Sequence, residues 1–178
     1  MQRIMANHPV GTPALLELQR RHVAYTLLEY EHDSRSAVGF GLEGAAKLGV
    51  AAEKVFKTLV AEADGRLVVG IVPVSGHLDL KALAQAVGAK KAAMADPAVA
   101  QKATGYVVGG ISPFGQKRRL TTVIDESAMS QQTILVSGGR RGLDIELAPV
   151  DLVTVCDAKV AAMARRDEAM RQKGPVAE

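Results

Sequence analysis

Two apolar runs joined by a turn dipeptide constrain the fold of this 178-residue chain more than any other feature. Residues 55–63 and 66–74 are rich in apolar and β-branched side chains, and Asp64-Gly65 separates them. Asp-Gly between two such runs is a strong β-hairpin signal, because this dipeptide accepts the positive φ angles of a tight turn. We therefore expect a hairpin here, at the centre of the sheet.

The rest of the hydrophobic pattern switches between the periods of helix and strand. Helices are expected at residues 13–22, 36–48, 80–87, 97–104 and 151–166, and further strands at residues 24–31, 121–124, 133–136 and 144–147. Helices and strands do not alternate strictly, as they would in a doubly wound parallel sheet. The sequence therefore predicts an α+β fold with a curved, mixed β-sheet, partly barrel-like and surrounded by helices.

Composition limits the class of protein. With 48% hydrophobic residues the chain can bury one sizeable core. We expect a single domain over residues 13–166, an N-terminal extension at 1–12 and a C-terminal tail at 167–178. One cysteine excludes an internal disulfide framework. No apolar run approaches the roughly 18 residues of a membrane span, and the N-terminus lacks a signal-peptide pattern, so a soluble, cytoplasmic protein is expected.

The charge balance alone does not identify a partner. A net charge of +3 and a pI near 9.1 are too weak a bias to indicate a nucleic-acid binder. The aromatic content of 3%, without tryptophan, argues against base-stacking platforms. If RNA is bound, contact through phosphates and a terminal nucleoside is expected.

The segment GYVVGGISPFGQKRRL at residues 105–120 carries the strongest local signal for a binding site. Gly109 and Gly110 lack a Cβ, so the backbone can take positive φ and approach a ligand, while Pro113 fixes its own φ. Backbone N–H groups held this way can bind a carbonyl or an oxyanion.

The cations that follow, Lys117, Arg118 and Arg119, suit phosphate better than a neutral metabolite. A small acyl pocket beside a phosphate-binding edge is what an aminoacyl-tRNA requires; the alternative is a tight turn beside a solvated basic face.

Common hydrolytic machinery is missing from the sequence. Cys156 stands among apolar residues, which indicates a buried structural role rather than a nucleophile. The four histidines show no HExxH pattern and no second ligand at helical spacing, so a zinc site is disfavoured. The serines at 75, 112 and 137 lack a nucleophile-elbow sequence. We expect no metal, no cofactor and no acyl-enzyme.

Ordered blocks of sequence resemble the YbaK family of aminoacyl-tRNA deacylases. They are YEHD at 30–33, VFKTLV at 55–60, residues 77–120, and SGGRRGLDIEL at 137–147, and the resemblance runs from about residue 13 to 166. It implies a compact α+β domain shared with the editing domain of some prolyl-tRNA synthetases. It also implies activity in trans on the acceptor end of mischarged Cys-tRNA(Pro), with Cys-tRNA(Cys) as a further candidate substrate, prolyl-tRNA synthetase as a candidate partner and no cofactor.

The resemblance also implies roles for individual residues. The matching catalytic positions are Lys57, Gly109 and Gly110. The matching substrate-binding positions are Tyr30, Phe56, Thr58, Ile111, Ser112, Pro113, Ser137 and Asp144. Charge and clustering, rather than the resemblance, make Lys117, Arg118, Arg119, Arg140 and Arg141 the candidate tRNA phosphate ligands, with a solvated basic face as the alternative. Phe56 is a departure, because close relatives often carry tyrosine there. Without the family, Lys57 would be interpreted as a solvated or ion-paired lysine.

The chemistry that the resemblance implies uses a nucleophile of the substrate. The cysteinyl thiol attacks its own ester carbonyl and forms a thiolactone, and well-oriented intramolecular reactions reach effective molarities of about 10⁵ to 10⁸ M. Lys57 would position the terminal phosphate, the ribose or the reactive conformer, and Asp144 would pair with the substrate ammonium. Two alternatives remain at this point: a deacylase with alanine or serine specificity, and a non-catalytic tRNA- or nucleotide-binding module. The sequence does not give the oligomeric state.

Overall fold

The computed structural model describes residues 3–4, 11–34 and 39–166 of the chain. Its α-helices are α1 (Pro13–Arg20), α2 (Phe40–Leu48), α3 (Leu80–Ala86), α4 (Pro97–Thr104) and α5 (Pro149–Cys156). Its strands are β1 (Arg3–Ile4), β2 (Thr26–Glu29), β3 (Phe56–Ala63), β4 (Arg66–Pro73), β5 (Gly76–Leu78), β6 (Ala92–Met94), β7 (Thr121–Asp125), β8 (Ile134–Arg140), β9 (Leu143–Leu147), β10 (Lys159–Ala161) and β11 (Ala164–Arg166). The longest of these helices has 9 residues, short of the roughly 20 that a bilayer span requires.

The predicted hairpin is confirmed and organises a five-stranded sheet. The order is β10-β7-β4-β3-β6, so β4 is its central strand. Asp64 and Gly65 take φ angles of 47° and 80° in the turn, and β3 and β4 pair antiparallel from Ala63↔Arg66 to Phe56↔Pro73. Because β7 runs parallel to both β4 and β10, the sheet is mixed. The α+β class and the mixed sheet are therefore confirmed.

A second sheet meets the first at one point and then separates from it. Its order is β1-β2-β9-β8, all antiparallel. Val55, just before β3, forms a parallel bridge with Leu135 of β8. Beyond it β3 and β8 diverge, and β6 covers the outer edge of β3 only at Ala61–Ala63. The two sheets are not closed into a barrel in the described residues, and their separation leaves space beside the first half of β3.

Helices cover both sheets through apolar faces. Thr12 caps α1 by accepting from the N–H of Leu15, and α1 buries Leu15 and Leu18 in the largest core cluster with Leu152 of α5. On the other side Leu83 of α3 packs with Val68 and Val72 of β4. Burial of each such side chain contributes about 1.5 to 3 kcal/mol. The core thus fixes both sheets.

The predicted helix over residues 151–166 is wrong in its second half. Helix α5 ends at Cys156, and Asp157 takes a φ of 49°, which a continuing helix does not allow. Lys159–Ala161 then pairs with β7 and Ala164–Arg166 with β5. The Asp125 carboxylate accepts the N–H groups of Met163 and Ala164 at 2.7 and 2.8 Å. Sheet pairing and this carboxylate outweigh the helix propensity of an alanine-rich segment.

Other predicted boundaries differ by a few residues. Helix α2 begins at Phe40 after Gly39, whereas residues 36–38 of the predicted helix lie outside the described residues. The short strands β5 and β6 were not predicted, because three residues carry too little pattern. Of the expected N-terminal extension, β1 pairs with β2, and residues 1–2 and 5–10 lie outside the described residues, as does the expected tail from 167.

Candidate active site

A pocket of about 460 Å³ opens where the two sheets separate. Its volume lies within the usual range for small-molecule sites, about 300 to 1,000 Å³. The first half of β3, the start of α2, the loop after α4 and the β8–β9 pair form its walls. Predicted site residues that line it are Tyr30, Phe56, Lys57, Thr58, Gly109, Ile111, Ser137 and Asp144. We call it the large pocket.

Strand β3 brings a lysine and an unsatisfied hydroxyl to this pocket. Lys57 lies opposite Val72 in the hairpin and is half-buried. The neighbouring Thr58 is buried, and its Oγ1 has no hydrogen-bond partner in the described residues. A buried polar group without a partner costs about 1 to 3 kcal/mol. Thr58 lines the pocket, but this hydroxyl is covered by neighbouring atoms, so a ligand would reach it only after a local rearrangement. Phe56 supplies an apolar wall and is 2% exposed.

The β8–β9 pair supplies a carboxyl group from the other sheet. Asp144 lies directly opposite Ser137, between β8 and β2, and is 8% exposed. Burial raises the pKa of Asp144 from its ordinary value of 3.8 to about 7. The Ser137 Oγ accepts from the Gly139 N–H at 3.2 Å, at the bulge between Ser137 and Arg140. The pocket therefore holds a carboxyl group that changes its charge near neutral pH.

Tyr30 lies close to this carboxyl group. Burial raises the pKa of the Tyr30 phenol to about 12, with further contributions from the negative charges of Asp144 and Glu43. A Cβ on Gly44 of α2 would lie 3.0 Å from the Tyr30 hydroxyl, so the absence of a side chain there lets the helix approach the ring. Tyr30 is therefore a neutral hydrogen-bonding group at neutral pH.

The two glycines of the predicted loop have different surroundings. Gly109 lines the large pocket with a φ of 88°, and a Cβ there would lie 2.6 Å from the Phe40 ring. Gly110 instead backs onto the β8–β9 turn, where a Cβ would lie 2.9 Å from the Arg140 backbone, and its N–H donates to the Val107 carbonyl at 2.9 Å. The Gly110 N–H is therefore used inside the turn, whereas Gly109 faces the pocket.

The rest of the loop supports the site from behind. Ser112 is fully buried, and its Oγ accepts from the Phe114 N–H at 3.3 Å. Pro113 lines a second pocket, and its carbonyl accepts from the Cys156 thiol at 3.4 Å. Burial raises the pKa of that thiol to about 12, so Cys156 is not poised as a nucleophile. Gly110, Ser112 and Pro113 do not line the large pocket.

The predicted phosphate ligands fall into two groups. Arg140 pairs with Glu29 at 2.9 Å, and Arg141 donates from Nε and Nη2 to the Val108 carbonyl at 3.0 and 2.7 Å. The Arg141 guanidinium also lies 4.7 Å from the centre of the Phe40 ring. The second group is exposed and comprises Lys117, Arg118 and Arg119. Its two arginines line the second pocket, so the structure places them apart from Arg140 and Arg141.

Sequence reasoning missed the wall that α2 forms. Phe40 and Leu42 line the large pocket, and Glu43 is buried beneath them. Its carboxylate accepts from the Asp33 N–H at 2.7 Å and lies 3.2 Å from both the His32 Nδ1 and the Lys47 Nζ. The Asp33 N–H is the main cause of the lowered pKa of Glu43, ahead of Lys47 and His32. An acidic residue four positions before a lysine on an otherwise apolar helix was the available signal.

The part of the chain that the structure describes contains no cluster of side chains that could bind a metal ion. Within residues 11–34 and 39–166, no three His, Cys, Asp or Glu side chains come together in a way that could hold a metal ion. His77 lines the large pocket.

A family model of the aminoacyl-tRNA editing domain matches residues 42–155. The chain belongs to this family. Editing domains of this kind act on aminoacylated tRNA, and the predicted resemblance is confirmed. A protein of Enterococcus faecalis described as a candidate Cys-tRNA(Pro)/Cys-tRNA(Cys) deacylase, EbsC, is 34% identical over 161 residues, which is 88% of this chain and 94% of that protein.

Solved structures share the fold at lower identity. A candidate trans-editing enzyme for prolyl tRNA synthetase superposes with a TM-score of 0.75 at 22% identity, covering 88% of this chain and 99% of its own. The hypothetical protein APE2540 superposes with a TM-score of 0.77 at 24% identity, covering 86% and 100%. At these identities the likeness shows the fold alone.

Proposed function

We propose that this protein is a trans-acting deacylase that removes cysteine from mischarged Cys-tRNA(Pro), and from Cys-tRNA(Cys) where it is admitted. One observation carries the proposal: the large pocket joins Lys57, Tyr30 and the Asp144 carboxyl group where two sheets separate. Membership of the editing family and the described activity of EbsC support the same substrate.

Asp144 is the group that recognises the free amino acid. In its ionised form the carboxylate pairs with the α-ammonium of the aminoacyl ester, which offsets the cost of burying that charge. An N-acylated amino acid lacks this ammonium and would be rejected. The neutral Tyr30 phenol supplies a further polar contact.

The substrate thiol supplies the nucleophile. Cys156 is the chain's only cysteine, and it lines the second pocket rather than the large one. The cysteinyl sulfur attacks the ester carbonyl, a C–S bond forms, and the bond from the carbonyl carbon to the ribose oxygen breaks. The thiol proton finally resides on that ribose oxygen, and the product is a thiolactone. Serine and alanine esters lack this nucleophile, so chemistry adds selectivity beyond the 1 to 3 kcal/mol that a small apolar pocket provides, to order of magnitude.

The protein contributes positioning and charge stabilisation. The Gly109 N–H faces the oxyanion that develops on the carbonyl, and one such donor contributes about 3 to 4 kcal/mol. Lys57 holds the terminal phosphate or ribose as a point charge with three donors. Gly110 supports the turn, since its N–H bonds to Val107.

We also propose the domain limits of this protein, its partner and its place of action. Residues 13–166 form the editing domain, with an N-terminal extension at 1–12 and a C-terminal tail at 167–178. A subset of the five basic residues that the sequence offers contacts tRNA phosphates. Prolyl-tRNA synthetase is the partner that would restrict action to the correct tRNA, and the cytoplasm, where tRNA is charged, is the site of action.

The decisive experiment follows release of labelled amino acid from Cys-tRNA(Pro), with Ala-tRNA(Pro) and Ser-tRNA(Pro) in parallel, for the wild type and Lys57→Ala. We expect rapid loss of the cysteinyl ester alone, abolished by the substitution. Equal release from all three esters would replace the thiol mechanism with a different specificity. No release from any of them would support a binding module that has lost the reaction.

A further inference from the structure

The second pocket has a size and position that the proposed reaction leaves unused. It has a volume of about 130 Å³, well below the range of small-molecule sites. It therefore fits one compact group and not an aminoacyl-nucleoside. We call it the small pocket, and its lining residues are Glu17, Pro113, Gly115, Gln116, Arg118, Arg119, Leu120, Thr122, Val155 and Cys156.

Positive charge predominates around the small pocket. Arg118 and Arg119 line it, and both side chains are exposed. Burial and the Glu17 charge raise the pKa of the Cys156 thiol, while the charges of Arg119 and Arg21 oppose that rise. Two guanidinium groups therefore line a space that one carboxylate also lines.

The protein supplies little negative charge to neutralise the arginines around the small pocket. Glu17 is its acidic lining residue, and its Oε2 already accepts the Gly115 N–H at 2.6 Å. Across residues 11–34 and 39–166, no ion pair forms at Arg21, Arg118 or Arg119. Guanidinium groups match a phosphate through paired N–H donors.

The loop after α4 connects the two pockets. Gly109 and Ile111 line the large pocket, whereas Pro113 and Gly115 line the small one. Ile111 and Pro113 are two residues apart, so at most about 7 Å of chain separates these two wall residues. A single strand whose terminal nucleoside occupies the large pocket would have to follow this loop to reach the small pocket.

We propose that the small pocket binds a backbone phosphate of the nucleic-acid strand whose aminoacylated end occupies the large pocket, with Arg118 and Arg119 as its ligands. This inference rests on the proposed function for the identity of the strand. It divides the five basic residues that the sequence offered, because the strand crosses the Arg118 side and not the turn that carries Arg140.

The test measures binding of deacylated tRNA(Pro) by fluorescence anisotropy across a salt series. The variant is Arg118→Gln/Arg119→Gln, and Lys90→Gln/Lys91→Gln is the matched control, because it removes the same charge at exposed positions outside both pockets. We expect the slope of log K against log salt to become shallower by about 0.7 for each phosphate that the variant no longer neutralises. The lysine control keeps the slope of the wild type.

A second measurement separates binding from chemistry. The cysteinyl ester of adenosine has no phosphate strand, so the arginine variant should release cysteine from it at the wild-type rate. With full Cys-tRNA(Pro) the same variant should raise KM and leave kcat unchanged. Thermal unfolding of both variants checks that the fold is intact.

The outcomes are distinguishable. An unchanged salt slope in the arginine variant overturns the inference, and is also the result expected if the pocket serves a carboxylate of a protein partner. Loss of activity on the adenosine ester overturns it as well, because the arginines would then act at the large pocket. If the wild type releases no amino acid but the salt slope still becomes shallower in the arginine variant, the phosphate site is supported and the proposed reaction is contradicted.

Discussion

Two adjacent arginine pairs, Arg118 with Arg119 and Arg140 with Arg141, look alike in the sequence and differ in the structure. The first pair lines the small pocket and forms no ion pair within the described residues. The second is engaged, because Arg140 bonds to Glu29 and Arg141 to the Val108 carbonyl. The availability of a cation for phosphate is therefore decided by what its guanidinium already binds.

The comparison also assigns Arg141 a different task. Its two N–H donors hold the carbonyl next to Gly109, and its guanidinium stacks on Phe40, which packs against Gly109 from the other side. The β8–β9 turn, the glycine loop and the start of α2 thus meet at one cation. We expect Arg141 to be a positioning residue for the large pocket.

Substitution of the glycine that this arrangement holds should have the largest effect. Gly109→Ala places a Cβ 2.6 Å from the Phe40 ring at a φ of 88°, which shifts the N–H that we assign to the oxyanion. A fall in kcat of about 10² to 10³ is expected. Gly49→Ala is the control, because Gly49 has a φ of 66° with no atom within 4 Å of the added Cβ. Equal losses of activity in both variants would show that strain alone is responsible.

Removal of the Arg141 fork should have the next largest effect. Arg141→Met keeps an apolar contact with Phe40 but cannot donate to Val108, so the loop shifts and kcat for Cys-tRNA(Pro) falls about 10²-fold. The salt slope of tRNA binding should stay at its wild-type value, because the variant still neutralises the same phosphates. A shallower slope with unchanged kcat would place Arg141 among the phosphate ligands and remove the difference between the two pairs.

The Asp144 carboxyl group makes both stability and activity depend on pH. Its pKa is about 7 in the folded protein and near 4 in the unfolded chain, so the native state binds the additional proton between these values. Stability therefore falls as pH rises through this window. Asp144→Asn should unfold at a temperature several degrees higher than the wild type at pH 8, with a smaller difference at pH 5.

Activity should change in the opposite direction. The rise of kcat/KM through pH 7, which reflects ionisation of Asp144, should disappear in the asparagine variant. Asp125→Asn is the control, because its effect on stability should have the opposite sign. Burial alone would raise the pKa of Asp125, but hydrogen bonds from Ser127, Met163 and Ala164 lower it, so that substitution should destabilise the protein at neutral pH. If kcat/KM of Asp144→Asn still rose through pH 7, that result would contradict the proposed pairing with the substrate ammonium.

The sequence predicts those parts of the fold and site that depend on local pattern. The Asp64-Gly65 hairpin and the helix starts at Asp79 and Asp96 follow from turn and capping residues a few positions apart. The strands after α5 could not be predicted, because they depend on the distant edges of β7 and β5 and on the Asp125 carboxylate.

The site shows the same division. The motif residues Lys57, Gly109 and Asp144 come together as the resemblance implies. The engagement of Arg141 by Val108 and the burial of Glu43 under Phe40 depend on the separation of the two sheets, which the sequence pattern does not encode locally.

The smallest effect is expected for Arg140→Gln, and it tests the comparison most directly. Arg140 and Glu29 are 50% and 45% exposed, and an exposed pair of this kind contributes about 0 to 1 kcal/mol, so stability should hardly change. The salt slope of tRNA binding should equal that of the wild type, because the Arg140 charge is already balanced by Glu29. Glu29→Gln is the informative partner: it releases the Arg140 guanidinium and should steepen the slope if a strand passes nearby. If the salt slope of both variants equals that of the wild type, the strand lies on the Arg118 side. A shallower slope in Arg140→Gln would show that Arg140 contacts phosphate despite its partner.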